Sequence, residues 1–332
     1  LMPGSDGIVR TLAEAKTAAR KVGYPLLIKA AAGGGGRGMR VARDENELTR
    51  QLPMAQSEAE SAFGNGDVYI ERYLENPRHV EVQILADNFG HVYAVGDRDC
   101  SLQRRHQKIV EEAPAPFLNK RVRDNLMKAA AKGAKAAGYR SAGTLEFLVD
   151  KEGHFYFMEM NTRIQVEHPI TELVSNIDLV TWQLRIAMGE QLKIDERDLE
   201  TKGHALECRI TCEDPFRDFA ASVGTVTTWV APGGPGVRVD SHLYSGYAIP
   251  PYYDSLLAKI VTWGKDRNEA IDRMQRALRE TIVDGVATIT PLHQLIMADP
   301  GFRKGEVHTG FVADFMDRHA DLLQPEALDT GE

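Results

Sequence analysis

Acidic, amide and guanidinium side chains alternate with apolar ones in residues 159–168, whose sequence is EMNTRIQVEH. The polar positions of this segment are Glu159, Asn161, Arg163, Gln165 and Glu167. A period of two predicts a strand with one polar and one apolar face, extending through the segment. Carboxylates, an amide and a guanidinium on one face could hold a metal ion or an anionic substrate.

A second carboxylate, Glu146, lies in the candidate strand just upstream, and a short glycine-containing segment after Asp150 predicts a hairpin. With Asp150 facing Phe155, Glu146 would lie opposite Glu159. Like charges opposite each other destabilise a sheet, and a cation between them would remove the repulsion. Oxygen ligands with the Asn161 amide nearby suit Mg²⁺ or Mn²⁺ rather than zinc. A surface hairpin with two solvated glutamates fits the spacing equally well, because a one-residue slip moves every side chain to the other face.

A glycine-rich segment near the start follows a short apolar run. Residues 24–32 (YPLLIKAAA) include Lys29 and lead into GGGGRGMRV at 33–41. Glycine backbone can approach a polyphosphate closely, and Lys29 adds positive charge. The pattern is not a P-loop, since no Gly-Lys-Ser/Thr follows. Alone, the segment fits a flexible hairpin tip better than a phosphate site; with the acidic pair downstream, it favours a nucleotide bound with Mg²⁺.

The composition is that of a globular enzyme. The chain has 332 residues, a hydrophobic content of 43% and a net charge of −8. This length predicts two or three domains, and the negative charge does not favour nucleic acid. No apolar run approaches the ~20 residues that span a bilayer. The three cysteines are not a disulfide framework, which suggests a reducing compartment. Because the chain begins with Leu1 at a linker-like segment, we expect a further piece before it.

The elements that must position these residues follow an α+β order. Helices and strands alternate through residues 1–72, and strands dominate from residue 79 onward. Helices are predicted near residues 120–137 and 172–189, and a further block of strands begins after residue 202, with a last helix at 268–281. Strands followed by helices, rather than strict alternation, predict an α+β fold.

Three segments together carry a family resemblance: KAAAGGGGRGM at 29–39, RDCSLQRRHQK at 98–108 and EMNTRIQVEH at 159–168. They resemble biotin carboxylase, the ATP-grasp component of acetyl-CoA, propionyl-CoA and pyruvate carboxylases. The resemblance runs to about residue 315 and lacks only the family's N-terminal domain. It implies an ATP-grasp fold, with a small α/β lid at 1–72 and an antiparallel-sheet subdomain for metal and nucleotide at 73–200. A C-terminal biotin carboxylase domain at 201–316 and a polar tail at 317–332 would follow.

The resemblance also implies a reaction. ATP would phosphorylate bicarbonate to carboxyphosphate, and the CO₂ released from it would be attacked by N1 of biotin. Positions matching the family's ATP contacts are Lys29, Gly35, Gly36, Glu71, Arg72, Tyr73, Leu74, His79, Gln103, His106, Glu146 and Glu159. Those matching its metal ligands are Glu146, Glu159 and Asn161.

The remaining matches concern bicarbonate and biotin. The bicarbonate pocket would consist of Lys108, Arg163, Gln165, Val166 (through its backbone) and Glu167. Within it, Glu167 matches the base that removes the bicarbonate proton. Arg209 matches the residue that stabilises the oxygen of deprotonated biotin. The catalytic set implied by the resemblance is therefore Lys108, Arg163, Glu167 and Arg209.

The same resemblance implies ATP, Mg²⁺ or Mn²⁺, and carrier-bound biotin as cofactors and substrates. A biotin carboxyl carrier protein and a carboxyltransferase would be partners, a homodimer is expected, and neither nucleic acid nor membrane is. The expected location is the cytoplasm, or the mitochondrial or plastid matrix in a eukaryote. Two alternatives stay open. One is another ATP-grasp ligase that phosphorylates bicarbonate, such as one making carbamoyl phosphate; the other is a fragment that binds nucleotide without turnover.

Overall fold

The computed structural model describes residues 1–32 and 38–320, except the side chains of residues 196 and 198. Gly35, Gly36 and all but the first four residues of the predicted polar tail lie outside these ranges. The chain forms two compact units. The first unit comprises Leu1–Pro77 with Tyr156–Met158, and the second comprises the remaining residues.

The first unit is a small α/β layer structure. Its elements are α1 (Leu12–Val22), β1 (Leu26–Ala30), β2 (Met39–Ala42), α2 (Glu45–Phe63) and β3 (Val68–Arg72). The strands form an antiparallel sheet in the order β2-β1-β3, and both helices bury an apolar stripe with it. Helix α1 begins at a capping box, in which Thr11 accepts from the backbone N–H of Glu14 and the Glu14 carboxylate accepts from that of Thr11.

The second unit holds the larger sheet and most of the helices. Its first half contains β4 (Arg78–Ala86), β5 (Val92–Arg104), β6 (Gln107–Ala113), α3 (Lys120–Ala136), β7 (Ser141–Val149), β8 (Phe155–Asn161), α4 (His168–Ser175), α5 (Leu179–Ala187) and a 3₁₀ turn (Glu196–Leu199). Its second half contains β9 (His204–Thr211), β10 (Glu213–Asp214), β11 (Ala220–Ala221), β12 (Thr225–Val226), β13 (Thr228–Val230), β14 (Val237–Ser241), β15 (Tyr247–Ala248), β16 (Leu256–Gly264), α6 (Arg267–Glu280), β17 (Ile282–Asp284), α7 (Thr290–Ala298), α8 (Pro300–Lys304) and α9 (Phe311–Arg318).

Eight of these strands form one sheet in the order β14-β16-β9-β6-β5-β4-β7-β8. The pairs from β14 to β7 are antiparallel. Strands β6 and β9 join the two halves of the unit, with Val110 opposite Cys208 and Glu111 opposite Glu207. The predicted subdomain at 73–200 and the predicted C-terminal domain therefore contribute strands to the same sheet.

Strand β4 shows why the centre of this sheet carries a polar face. All its residues after Arg78 are buried, so both faces of the sheet are covered at this strand. Val80, Val82 and Ile84 alternate with His79, Glu81 and Gln83, which places the two sets on opposite faces. One face of β4 thus packs as apolar core, and the other presents buried ionisable groups to its neighbours.

The fold agrees with the predicted α+β class and antiparallel sheet, but four local predictions are wrong. The helix expected at 172–189 is two helices, α4 and α5, because Asn176 ends α4 with a positive φ. The alternating segment 159–168 is a strand only to Asn161, and α4 begins at His168, because Pro169 suits the first turn of a helix. The hairpin after β7 pairs Asp150 with His154 rather than with Phe155, since Gly153 adopts a positive φ that closes a three-residue turn. Three further helices, α7 to α9, follow the helix expected to be last.

The helices of the described ranges are all too short or too polar to cross a membrane.

Candidate active site

A lysine ammonium lies between three carboxylates at the centre of the large sheet. Lys108 Nζ donates to Glu81 Oε2 at 2.7 Å, Glu146 Oε1 at 2.9 Å and Glu167 Oε1 at 2.7 Å. Glu81 and Glu146 are direct cross-strand partners on β4 and β7. The repulsion expected between two facing glutamates therefore occurs here, between Glu81 and Glu146, and a lysine relieves it.

Burial and charge act against each other in this cluster. Burial alone would lower the pKa of Lys108, but Glu81, Glu167 and Glu146 outweigh it and hold that pKa well above its ordinary value. Burial alone would raise the pKa of Glu81, but Arg98 and Lys108 lower it to about 2. Burial alone would also raise the pKa of Glu146, but His79 and Lys108 outweigh it and lower that pKa. These groups are therefore charged at neutral pH.

A fully buried arginine supports the cluster from below. All five N–H groups of the Arg98 guanidinium are used, which is the full donor capacity of the side chain. Its acceptors are Glu81 Oε1, Gln83 Oε1, Thr171 Oγ1, Thr144 Oγ1 and Gln165 Oε1. Arg98 therefore ties β4, β5, β7, α4 and the segment before α4 together.

The Glu167 carboxylate is held on both sides. Its Oε1 accepts from Lys108, and its Oε2 accepts from Arg209 Nη2 at 3.0 Å. Arg209, on β9, also donates from Nε to Glu111 Oε1 at 2.6 Å. The turn that ends β8 early is what brings Glu167 back over the sheet at the start of α4.

His79 and Gln103 adjoin the same carboxylate cluster from the other side. Gln103 Nε2 is 2.6 Å from His79 Nδ1 and also donates to the Cys100 carbonyl. With Nδ1 accepting, the ring proton of His79 is on Nε2, which is 3.0 Å from Glu146 Oε2. His106, by contrast, lies at the exposed tip of the β5–β6 hairpin with a positive φ.

The residues expected to hold a metal share oxygen-bearing side chains but differ in exposure. Glu146 is buried, and its Oε1 accepts from Asn161 Nδ2 at 3.1 Å and Gln165 Nε2 at 2.8 Å. Glu159, two residues before Asn161, is exposed. Two carboxylates and an amide are hard oxygen donors and fit Mg²⁺ by type. Arg163, exposed, donates to Asn161 Oδ1 at 3.3 Å.

In the first unit, the predicted nucleotide lysine is paired. Lys29 Nζ on β1 lies 2.6 Å from Glu71 Oε2 on β3. The backbone N–H of Arg72 donates to the Pro3 carbonyl, and that of Tyr73 to the Pro25 carbonyl. Any backbone contact from this segment to an adenine would therefore use its other groups, such as those of Leu74.

Four residues of the cluster escaped the sequence prediction: Glu81, Arg98, Glu111 and Lys259. Lys259 on β16 donates to the Val166 carbonyl at 2.8 Å, which occupies a backbone group expected to meet bicarbonate. A signal for Glu81 was available, because it alternates with valines between His79 and Gln83 in a strand too apolar to be a surface strand. Lys259 and Glu111 had no such signal, since only the sheet order brings β16 and β6 to this site.

Two known protein families match successive parts of the chain. Residues 1–195 match the family described as "Carbamoyl-phosphate synthase L chain, ATP binding domain", and residues 207–314 match "Biotin carboxylase C-terminal domain". A biotin carboxylase from Nostoc is 53% identical over 313 residues, which are 94% of this chain and 70% of the relative. The chain belongs to the biotin carboxylase family. The resemblance carried by the three motifs is therefore confirmed at the level of the family.

Other members show how widely the family similarity extends. The chloroplastic biotin carboxylase of Arabidopsis thaliana is 49% identical over 327 residues, and the chain spans 60% of its length. The biotin carboxylase domain of Hydrogenobacter thermophilus 2-oxoglutarate carboxylase, a dimer in complex with MgADP, ADP and bicarbonate, superposes with a TM-score of 0.89 at 47% identity, covering 100% of this chain and 71% of that one. Campylobacter jejuni biotin carboxylase gives a TM-score of 0.89 at 48% identity, covering 95% and 70%. These similarities confirm the predicted ATP-grasp fold.

Proposed function

We propose that this biotin carboxylase family member uses ATP and bicarbonate to carboxylate biotin on a carrier protein. The observation that carries the proposal is the position of Glu167, whose two oxygens meet Lys108 and Arg209. The reaction needs a base with a cation for bicarbonate on one side and a guanidinium for the biotin oxygen on the other. Glu167 lies in this way between Lys108 and Arg209. The match of residues 207–314 favours this function over carbamoyl phosphate synthesis.

In this proposal the chain's residues supply charge and proton transfer. Arg163 would hold bicarbonate by charge-assisted hydrogen bonds, with Gln165 beside it. Lys108 would join them once its ammonium releases one of the three carboxylates that now occupy its N–H groups. Glu167 would accept the bicarbonate proton, so that a carbonate oxygen could attack the terminal phosphorus of ATP and release ADP. Carboxyphosphate would then break into CO₂ and phosphate. The released phosphate would take the proton of biotin N1, N1 would then add CO₂, and Arg209 would stabilise the negative oxygen that deprotonated biotin carries.

Glu146, Glu159 and Asn161 are the residues that would hold the divalent metal. Such an ion neutralises the negative charge that phosphoryl transfer concentrates on the phosphates. Because Glu146 already accepts hydrogen bonds from Lys108, Asn161 and Gln165, a change in these contacts is expected when the metal is present. Lys29, once released from Glu71, would supply charge to the nucleotide.

The partners follow from the reaction and from the relatives. The substrate biotin would be attached to a biotin carboxyl carrier protein, and a carboxyltransferase would pass the carboxyl group to an acyl-CoA or a keto acid. Matched structures include pyruvate and 2-oxoglutarate carboxylases, and one of them is a dimer. We propose the same dimeric state here, which light scattering of the purified protein tests directly.

The test of the function is ADP release with bicarbonate and free biotin, each omitted in turn. Glu167→Gln should reduce the bicarbonate-dependent rate by roughly 10²–10⁴-fold, because proton transfer is lost. Arg209→Met should abolish stimulation by biotin and reduce bicarbonate-dependent ATP cleavage much less than Glu167→Gln does, because Lys108 still holds Glu167. Glu190→Gln, which changes an exposed carboxylate of the same unit, is the matched control and should leave both unchanged.

The outcomes separate the alternatives. ATP cleavage that requires bicarbonate but ignores biotin would indicate another bicarbonate-phosphorylating ligase. Nucleotide binding without any ADP release would indicate a binding fragment. Equal rates for the unaltered protein and for Glu167→Gln would exclude the proposed base.

A further inference from the structure

Two carboxyl side chains beside Arg209 are buried and incompletely paired. Glu207 on β9 lies directly opposite Glu111 on β6, and both are fully buried. Within the described ranges, neither oxygen of Glu207 has a hydrogen-bond partner, and Glu111 Oε2 has none either. The proposed mechanism uses neither residue, and buried carboxylates without partners are costly.

The surroundings of Glu207 offer no free counter-charge among the described residues. Arg209, on the same strand, is committed to Glu111 and Glu167. Lys259 of β16 donates to the Val166 carbonyl and lies 3.4 Å from Asp240. The position opposite Glu207 on β16 is the apolar Val261. On the face of the sheet that α4 covers, the other charged or titratable groups of β6 and α4 are Lys108, His168 and Glu172. Glu112, His204 and Cys208 occupy the alternate positions of β6 and β9, on the opposite face.

Two facing carboxylates in such a place cannot both keep their charge. Like charges directly opposite on a sheet repel, and the interior screens them poorly. Glu111 has a cation, because Arg209 Nε donates to it, whereas Glu207 accepts from none in the described ranges. Burial, followed by the charge of Glu111, raises the pKa of Glu207 well above its ordinary range, and burial raises the pKa of Glu111 to about 7 against the effect of Arg209.

We propose that the pair Glu111 and Glu207 carries a single proton, which resides on Glu207, and that this pair positions the Arg209 guanidinium. A neutral Glu207 lets Glu111 stay ionised and anchor Arg209 at Nε. That anchor directs Nη2 of Arg209 to Glu167. If Glu207 lost its proton, repulsion would favour protonation of Glu111, and the charge-assisted bond to Arg209 would weaken.

The protonation state can be tested without any activity. A protonated carboxyl group has a C=O stretching band in the infrared that a carboxylate lacks, and Glu207→Gln should remove one such band at neutral pH. Glu190→Gln, the exposed control, should remove none. A spectrum in which Glu207→Gln changes only carboxylate bands would overturn the proposal.

Stability against pH gives a second test. A carboxyl with a raised pKa in the folded state costs the fold more and more as the pH rises from its unfolded value, 4.5, through its folded value. The urea midpoint of Glu207→Gln should therefore rise relative to that of the unaltered protein as the pH increases. The midpoint of Glu190→Gln should change with pH in the same way as that of the unaltered protein. Parallel curves for Glu207→Gln would contradict the proposal.

The positioning role rests on the proposed function and has its own readout. Glu111→Gln removes the charged anchor of Arg209 and should raise the KM for biotin roughly tenfold to a hundredfold, while the KM for ATP stays constant. An unchanged biotin KM in Glu111→Gln would refute positioning. If the protein does not release ADP at all, the proposed function fails. The infrared and urea experiments would still show whether Glu207 is protonated in the folded protein.

Discussion

Lys108 is the residue on which the charge balance of the site depends. Its ammonium serves three buried carboxylates at once. Removing one partner of a buried ion pair leaves uncompensated charge and typically costs about 3–5 kcal/mol. We expect Lys108→Met to lower the free energy of unfolding by about that amount, as measured by urea denaturation at pH 7. Lys120→Met, which breaks an exposed pair with Asp124, is the control and should change little. Equal effects would contradict the central role of Lys108.

Glu112 provides the clearest pH dependence. It accepts hydrogen bonds from Arg267 and His204, and although burial alone would raise its pKa, these partners lower it to about 2. Its stabilising effect is therefore present above the unfolded value of 4.5 and is lost as the pH falls through about 2. That shift corresponds to about 3 kcal/mol. Glu112→Gln should lower stability at pH 7 and reduce the acid dependence of the urea midpoint. A variant with the unaltered acid dependence would contradict this assignment.

At this scale the sequence predicted residue types better than their partners. Glu146, Asn161 and Gln165 do come together, as the alternating segment suggested. The facing carboxylate of Glu146 is Glu81 on β4, and the pairing of Asp150 with His154 in the hairpin shifts Glu159 out of the position opposite Glu146. Strand order is a long-range property of the fold, and no local spacing contains it.

At the scale of elements, helix α3 supports the strands that carry the site. It packs on β4 and β5, and Leu126 on its inner face is fully buried. Leu126→Ala should cost about 2–5 kcal/mol, because it leaves a cavity under these strands. The exposed Lys128→Ala on the same helix should change the free energy of unfolding by less than about 0.5 kcal/mol. Urea denaturation of both variants measures the difference, and similar values would argue against tight packing of α3.

Elements with a strong local signal were predicted well. The helices predicted at 120–137 and 268–281 are α3 (Lys120–Ala136) and α6 (Arg267–Glu280). The end of β8 was missed because the pattern of residues 162–167 is that of a strand, while tertiary contacts hold Gln165 and Glu167 in a turn. In this segment, buried hydrogen bonds override the local periodicity.

For the whole molecule, the important feature is that one sheet crosses the boundary between the two family matches. Cutting the chain after residue 200 would expose the edge of β6 and leave Glu111 and Glu112 without Arg209, His204 and Arg267. We expect the fragment 1–200 to be insoluble or to unfold without cooperativity, as judged by soluble yield and thermal circular dichroism.

A cut after Pro77, which leaves only Tyr156–Met158 of the first unit in the remaining fragment, is the comparison. The fragment 78–332 keeps the eight-stranded sheet and should unfold cooperatively. A soluble 1–200 fragment with a sharp transition would show that the sheet does not need its C-terminal strands.

The hydrogen bonds of Arg98 limit which substitutions the site can accept during evolution. With every N–H of its guanidinium already bonded to the protein, Arg98 has nothing left to offer a ligand, and a lysine in its place could satisfy only part of the same acceptors. The buried layer around Arg98 therefore tolerates few single substitutions, since replacing any one of its partners leaves a buried donor without an acceptor. Divergence in what these enzymes recognise is best sought at exposed residues of the site, such as Arg163 and Glu159.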